Sequence, residues 1–230
     1  MVDVKAGVEY KIDIDGNSFL LDTKKYNLLL NILNDESLTA AAKKVGVSYR
    51  TALNYIDKME SELDVKIVTT TKGGKGGGGG TQLTEEGLSI IKECKKINAV
   101  MELHRDVNEI ESEIVSIDND KGVMTFKMGE FNINAPVNTN YEVGDKILAL
   151  ISYDNIFIML EPQSSSIRNI FKGRIVEMKL EGDIIRVTVD IGGVNISSDI
   201  TVSAEKELDL SIGKDVYIGF KAMSVATFKL

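Results

Sequence analysis

Three short segments of the C-terminal half concentrate hydrogen-bond donors and positive charge. They are Ser164-Ser165-Ser166-Ile167-Arg168-Asn169, Ile200-Thr201-Val202-Ser203-Ala204 and Gly219-Phe220-Lys221-Ala222-Met223. A tetrahedral dianion offers acceptors alone, so a site for one must supply donors and cations. The hydroxyls of Ser166 and Thr201, the Arg168 guanidinium, the Lys221 ammonium and the backbone amides near Asn169 and Ala222 make such a set. Bonds with an ionised partner are roughly twice as strong as neutral ones. Taken singly, Arg168 and Lys221 read more readily as ordinary surface charges.

A second group lies in the N-terminal half, around Ser48-Tyr49-Arg50-Thr51 and the glycine-rich stretch that holds Lys72 and Lys75. Its chemistry would be contact with a polyanion. The stretch 72–80 holds seven of the chain's 20 glycines. A phosphate-binding P-loop needs Gly-Lys followed by Ser or Thr. Here Gly74-Lys75 is followed by Gly76, which argues against nucleotide binding. A flexible linker has the same composition, but the threonine-rich segments on either side favour the tip of a hairpin.

The elements that position these groups change character near residue 110. Before it, apolar residues recur mostly at helical spacing; after it, alternating β-branched segments are separated by Gly and Asp/Asn turns. Val8 to Leu21 reads as a hairpin turning at Asp15-Gly16-Asn17. A helix follows Asp22 or Thr23 and ends near Asn34-Asp35. A second helix begins after Ser37 and carries Ala40-Ala41-Ala42, small enough for close packing against a crossing helix. Gly46 suits a positive-φ cap, and Ser48 suits the N-cap of a third helix running to Leu63. Its apolar face is expected to comprise Ala52, Leu53, Ile56, Met59 and Leu63, leaving Ser48, Tyr49, Arg50 and Thr51 facing outward. Two strands flank the glycine tip, making a wing. Thr84 then caps a long fourth helix with Ile91, Cys94, Ile97 and Met101 on one face, a helix of the kind that carries dimerisation. A helical hairpin without any DNA role could show the same Ala/Gly pattern.

Beyond residue 110 the chain repeats itself weakly. Ile114-Val115 and Ile175-Val176 each open a strand. Val143-Gly144-Asp145 and Ile212-Gly213-Lys214 each form a turn before another. Each copy holds about five short strands, enough for a small barrel that needs a partner surface. The expected fold class is α+β. The expected domains are 1–108, a helical DNA-binding domain with a dimerisation helix, then 109–162 and 163–230, two β-barrel lobes.

Composition restricts the choices. The first 105 residues carry 15 of the 27 Lys/Arg and 15 of the 35 Asp/Glu, so the net charge of −8 falls entirely on the remainder. A neutral N-terminal half can bind nucleic acid through local clusters, because screening confines each charge to about 8–10 Å. One cysteine, Cys94, excludes an intramolecular disulfide and a cysteine-based zinc site within one chain. His104 has no catalytic neighbours in sequence and reads as a surface residue; Cys94 reads as core packing. No catalytic constellation and no metal-ligand cluster emerge. No apolar run approaches the ~18 residues of a membrane span, and no secretory signal opens the chain, so a bacterial or archaeal cytoplasm is expected.

Residues about 20–100 resemble the N-terminal domain of ModE-type molybdate-responsive regulators, themselves similar to LysR-type winged helices. The most specific stretch runs from Gly46 to Gly87, with VGVSYRTALNYIDKMES and TTTKGGKGGGGGTQLTEEG. The resemblance implies that Ser48, Tyr49, Arg50 and Thr51 enter the major groove and that Lys72 and Lys75 act from the wing. The segment from Ser164 resembles the Ser-Ala-Arg-Asn opening of molbindin (TOBE-type) lobes, with Ile167 in place of Ala. The segments at 200–204 and 219–225 resemble that family's other two ligand-contacting stretches, and all three occur in order. This implies an oxyanion site of Ser166, Arg168, Asn169, Thr201, Ser203, Lys221 and Ala222, with molybdate or tungstate as ligand and no organic cofactor. Ser203 is an imperfect substitute, since the family's serine aligns with Ala204. The first copy lacks Ser-x-Arg-Asn and sets Ser152 opposite Lys221, which implies a structural or degenerate lobe.

The expected function is therefore a homodimeric, oxyanion-responsive regulator binding a palindromic operator in double-stranded DNA. The ligand would act by favouring one arrangement of the lobes. The rival reading is a molybdenum or tungsten storage or delivery protein, separated from the first by the helix-turn-helix. An enzyme of molybdenum-cofactor metabolism ranks lower for want of catalytic residues.

Overall fold

The computed structural model describes residues 7–70 and 80–230. The chain divides into two compact units between Val100 and Met101.

In the first unit, β1 (Tyr10–Ile14) and β2 (Asn17–Leu21) pair antiparallel. Asp15 and Gly16 both take positive φ at the turn, as the sequence led one to expect. Helix α1 (Thr23–Asp35) starts at Asp22, whose carboxylate accepts from the Lys25 amide at 2.9 Å. Helix α2 (Leu38–Lys44) is capped by Ser37 and ends against Gly46 at φ +71°. Helix α3 (Tyr49–Leu63) is capped by Ser48. Ala41, Ala42 and Ala52 are all buried, which lets α2 and α3 approach closely. Leu53 corrects the expected apolar face, being 37% exposed on the side of Tyr49. Strands β3 (Val68–Thr70) and β4 (Thr81–Leu83) pair antiparallel. Helix α4 (Glu85–Leu103) buries Ile90, Ile91 and Cys94, whereas Ile97 and Met101 are exposed rather than part of the core face.

Glu60 locks the start of β3 to α3. Its carboxylate accepts from the amides of Ile67 at 2.8 Å and Val68 at 3.1 Å, and pairs with Lys66 at 2.5 Å. Burial alone would raise its pKa, but Lys66 and the two amides together hold it below the usual 4.5. A carboxylate with a lowered folded pKa adds stability above its unfolded value and loses it as pH falls through the folded one. We expect the unit's melting temperature to drop as pH falls below about 4.5. Glu60→Gln should flatten that part of the profile and cost about 1–2 kcal/mol at neutral pH. Thermal melts of both proteins across this range check it; parallel profiles would remove Glu60 from the account.

Beyond the end of α4 the second unit is β apart from the short α5 (Val202–Glu207) and two 3-10 turns. It is built from β5 (Val107–Asp118), β6 (Val123–Met128), β7 (Phe131–Pro136), β8 (Lys146–Ser152) and β9 (Phe157–Met159), and from β10 (Asn169–Glu181), β11 (Ile184–Asp190), β12 (Asn195–Thr201), β13 (Asp215–Phe220) and β14 (Val225–Lys229). The two runs match strand for strand. Each long first strand is bent by a bulge, at Ile114/Ser116 and at Ile175/Glu177. Such bulges bend a strand and tighten its twist.

The fifth strands are exchanged. The sheet orders are β14-β8-β5-β6-β7 and β12-β11-β10-β13-β9, so β9 completes the second lobe and β14 the first. The sheets therefore do not divide at the expected 162/163 boundary. The expected division at 108/109 likewise cuts β5, which begins at Val107.

Both lobes pack into one continuous core, in which Phe171 of β10 meets Phe131 of β7 edge-on at 5.2 Å. Two buried asparagines lace the lobes reciprocally. Asn108 bonds the backbone of Ser197 at 2.8 and 2.9 Å, and Asn169 bonds that of Asn134 at 2.8 and 2.9 Å. Register makes Asn108 and Asn169 counterparts, and likewise Asn134 and Ser197. A change in the arrangement of lobes within one chain would break this core and both clamps, which does not fit the expected mechanism in that form.

Candidate oxyanion and nucleic-acid sites

At the start of α3, the Ser48 hydroxyl accepts from the Thr51 amide at 3.1 Å and lies 2.8 Å from the Thr51 hydroxyl. Of the expected groove-facing set, the Ser48 hydroxyl is thus engaged in capping and the Thr51 hydroxyl is bonded to it. Tyr49 and Arg50 are exposed, and Arg50 pairs with no carboxylate among the described residues. Lys72 and Lys75, expected on the wing, lie outside the described residues.

In the second unit, the β10–β13 ladder ends at the pair Asn169–Phe220. Arg168 and Lys221 therefore leave the same end of the sheet, one from each strand. Both are exposed, and neither forms an ion pair among the described residues. The Arg168 Nη1 donates to the Ser165 carbonyl at 2.7 Å and the Ile167 carbonyl at 3.1 Å, which curls the guanidinium onto its own loop. Ser166 is exposed beside it. Lys221 and Ala222 open a 3-10 turn (Ala222–Ser224) that packs on β7. The Asn169 side chain is buried and spent on Asn134, so its amide group serves the lobe junction rather than standing free as a ligand.

Thr201 and Ser203 lie elsewhere. Thr201 ends β12, and through Ile184 it registers with Glu181 at the far end of β10 from Asn169. It caps α5, its hydroxyl accepting from the Ala204 amide at 3.2 Å. The Ser203 hydroxyl donates to Glu207 at 2.7 Å. One chain thus gathers Ser166, Arg168, Lys221 and Ala222 at one end of the second lobe's sheet and leaves Thr201 and Ser203 at the other. The first group suits an oxyanion by its donors: two cations that no carboxylate among the described residues neutralises, with a hydroxyl beside them.

The corresponding end of the first lobe has different chemistry. There Arg105, Asp106, Val107 and Ser152 stand where Ser166, Ile167, Arg168 and Lys221 stand in the second. The carboxylates of Asp106 and Asp154 oppose any anion. His104 proves to have neighbours that sequence separation hid, with Nδ1 3.3 Å from the Ser152 hydroxyl and 3.1 Å from Asp154. A nucleophile relay needs the serine and the carboxylate on opposite ring nitrogens. Here one nitrogen meets both, and Ser152 bonds Asp154 directly. Among the described residues no cluster of His, Cys, Asp or Glu could hold a metal ion, and no helix is long and apolar enough to cross a membrane.

Fold and site together define a class: a winged helix-turn-helix joined to a pair of OB-like lobes. Residues 24–88 match the bacterial regulatory helix-turn-helix protein, lysR family, and residues 165–227 match the TOBE domain. The molybdate/tungstate import ATP-binding protein WtpC of Pyrococcus horikoshii is 32% identical over 102 residues, covering 44% of this chain; the chain spans 28% of that protein's length. A probable molybdenum-pterin-binding protein of Haemophilus influenzae is 43% identical over 61 residues, 26% of this chain and 88% of that protein. The molybdenum transport protein ModE of Azotobacter vinelandii is 27% identical over 215 residues, 93% of this chain and 67% of that protein. A lysR-family helix-turn-helix match thus precedes a TOBE match in this chain, and over most of its length the chain is similar to ModE.

Proposed function

We propose that the chain is a DNA-binding transcriptional regulator that responds to molybdate or tungstate. The observation that carries the reading is the unneutralised pair Arg168 and Lys221 at the end of the β10–β13 ladder, in a chain that also presents Arg50 on a capped recognition helix. The relatives' names, which speak of molybdate, tungstate and molybdenum, support the ligand.

The oxyanion is held by the Arg168 and Lys221 charges, the Ser166 hydroxyl and backbone amides near Ala222. Thr201 and Ser203 sit at the other end of the sheet, so they complete the site from a second subunit, which makes the ligand a bridge within a homodimer. A dimer suits palindromic half-sites about 34 Å apart. Because the two lobes of one chain share a core, the ligand biases the arrangement of subunits, not of lobes. Moving such an equilibrium from mostly one state to mostly the other takes about 5 kcal/mol of differential binding, within reach of a dianion facing several cations. A regulator of this kind works in the cytoplasm.

Isothermal titration of the protein with molybdate, tungstate and sulfate is the test. Saturable binding of the first two with sulfate silent supports the reading; silence from all three removes the sensor.

A further inference from the structure

Arg186 stands at the centre of a charged network that the proposed function leaves unused. Its Nε and Nη2 grip the two oxygens of Asp199, each at 2.8 Å. The same Nη2 donates to Asp106 at 2.5 Å, and Nη1 reaches Glu181 at 3.2 Å. The guanidinium lies 4.5 Å from the Tyr153 ring centroid, and the Tyr153 amide donates to the Asp106 carbonyl at 3.0 Å. Side-chain exposures of 20% for Arg186 and 16% for Asp199 keep the core of the network partly dry. A forked, two-oxygen grip in such a setting fixes direction as well as distance.

The internal repeat supplies a control. Strand register makes Val123 and Pro136 the counterparts of Arg186 and Asp199, and chain alignment makes Ile167 and Ala222 those of Asp106 and Tyr153. All four counterparts are uncharged, yet the other copy forms the same strands, bulge and asparagine clamp. The barrel therefore does not need this network. What distinguishes its side of the unit is the chain that enters there: Asp106 lies three residues after Leu103, the end of α4. At the opposite end of the network, Asp199 precedes Thr201 by two residues on β12, so both side chains share a face of the strand.

We infer that the Arg186–Asp199–Asp106 network is the coupling element of this protein, passing the state of the Thr201 end of the second lobe to the residues that lead out of α4. The inference rests on the proposed oxyanion site. An anion bonded to Thr201 shifts the end of β12. Asp199 moves with it, the rigid fork carries the shift to Arg186, and Asp106 transmits it to residues 104–106. There His104, bonded to Asp154, and Arg105, paired with Glu102 at 2.8 Å, hold the helix exit. Arg186 and Asp106 act here as positioning residues and touch neither ligand nor DNA.

The test measures how molybdate changes the affinity of the full chain for a DNA duplex that the unaltered protein selects from a random-sequence pool. Couplings of this kind change affinity by roughly 5- to 150-fold. Asp106→Asn leaves the Arg186–Asp199 grip in place and is the mild variant; Arg186→Met is the severe one. The expected result is that Asp106→Asn binds molybdate and DNA separately as the unaltered protein does, while the ratio of DNA affinities with and without molybdate falls to about 1. Asp106→Glu, which keeps the charge, restores part of the ratio. A ratio preserved in Asp106→Asn and in Arg186→Met overturns the inference, as does loss of molybdate binding in Asp106→Asn, which would make the network part of the site. If Arg186→Met does not fold, Asp106→Asn and Asp106→Glu decide alone. An unaltered protein that fails to bind molybdate, or whose DNA affinity ignores it, overturns the proposed function and the inference with it, a result visible before any variant is made.

Discussion

Lys221→Ala should weaken molybdate binding about 10- to 100-fold while leaving the melting temperature of the ligand-free protein unchanged. A hydrogen bond to a charged group contributes about 1.5–3 kcal/mol, and each 1.4 kcal/mol is roughly a tenfold change in affinity. The side chain is exposed and has no partner among the described residues, so its removal leaves no buried group unsatisfied. Arg168 is a poorer probe. Its guanidinium also ties together the carbonyls of Ser165 and Ile167, so its loss would loosen the loop as well as remove a charge. Lys221→Arg should retain most of the affinity, because charge matters more than shape at an exposed position. Titration calorimetry on the three proteins separates the outcomes; an unchanged isotherm for Lys221→Ala would place the ligand elsewhere.

Local signals carried most of the architecture. Ser37, Ser48 and Thr84 cap the helices expected after them, since a side-chain oxygen next to a helical run is a short-range device. The repeated turns at Gly144 and Gly213 take φ of +94° and +89°, which their type announced. The expected ligand segments at 166–169 and 219–222 do meet, because antiparallel pairing of β10 with β13 brings them together.

The rest depended on distance in the chain. Nothing in Phe157–Met159 or Val225–Lys229 says which sheet each joins, since three to five alternating residues fit either edge. The exchange of fifth strands was therefore hidden. Asn169 matched a ligand motif, but its burial against Asn134 is a fact of the lobe junction. Arg186 and Asp106 are 80 residues apart and look like solvated charges until the fold joins them. Comparing the two copies could have singled them out: Arg186 and Asp199 are charged where Val123 and Pro136 are not. Leu53 lies at the margin of the apolar stripe on α3, where a helical period cannot tell edge from interior.

Arg50→Ala should abolish sequence-specific DNA binding and spare molybdate binding. A forked contact from arginine to a guanine edge is worth about 1–3 kcal/mol of discrimination. The proposed dimer would make it twice, so operator affinity should fall roughly 10²- to 10⁴-fold. Arg50 lies in the first turn of α3, exposed and without an ion pair among the described residues, so its truncation should leave the first unit's stability intact. Arg50→Lys should keep attraction for phosphate but lose the fork, weakening all sequences less while relaxing preference at one base position. Ser48→Ala should behave differently again. It removes the cap on the Thr51 amide and should cost about 1 kcal/mol of stability along with a uniform loss of DNA affinity. Gel-shift titrations against selected and random duplexes, with calorimetry for molybdate in parallel, distinguish the three. Operator affinity unchanged in Arg50→Ala would mean that another face of the first unit meets the groove.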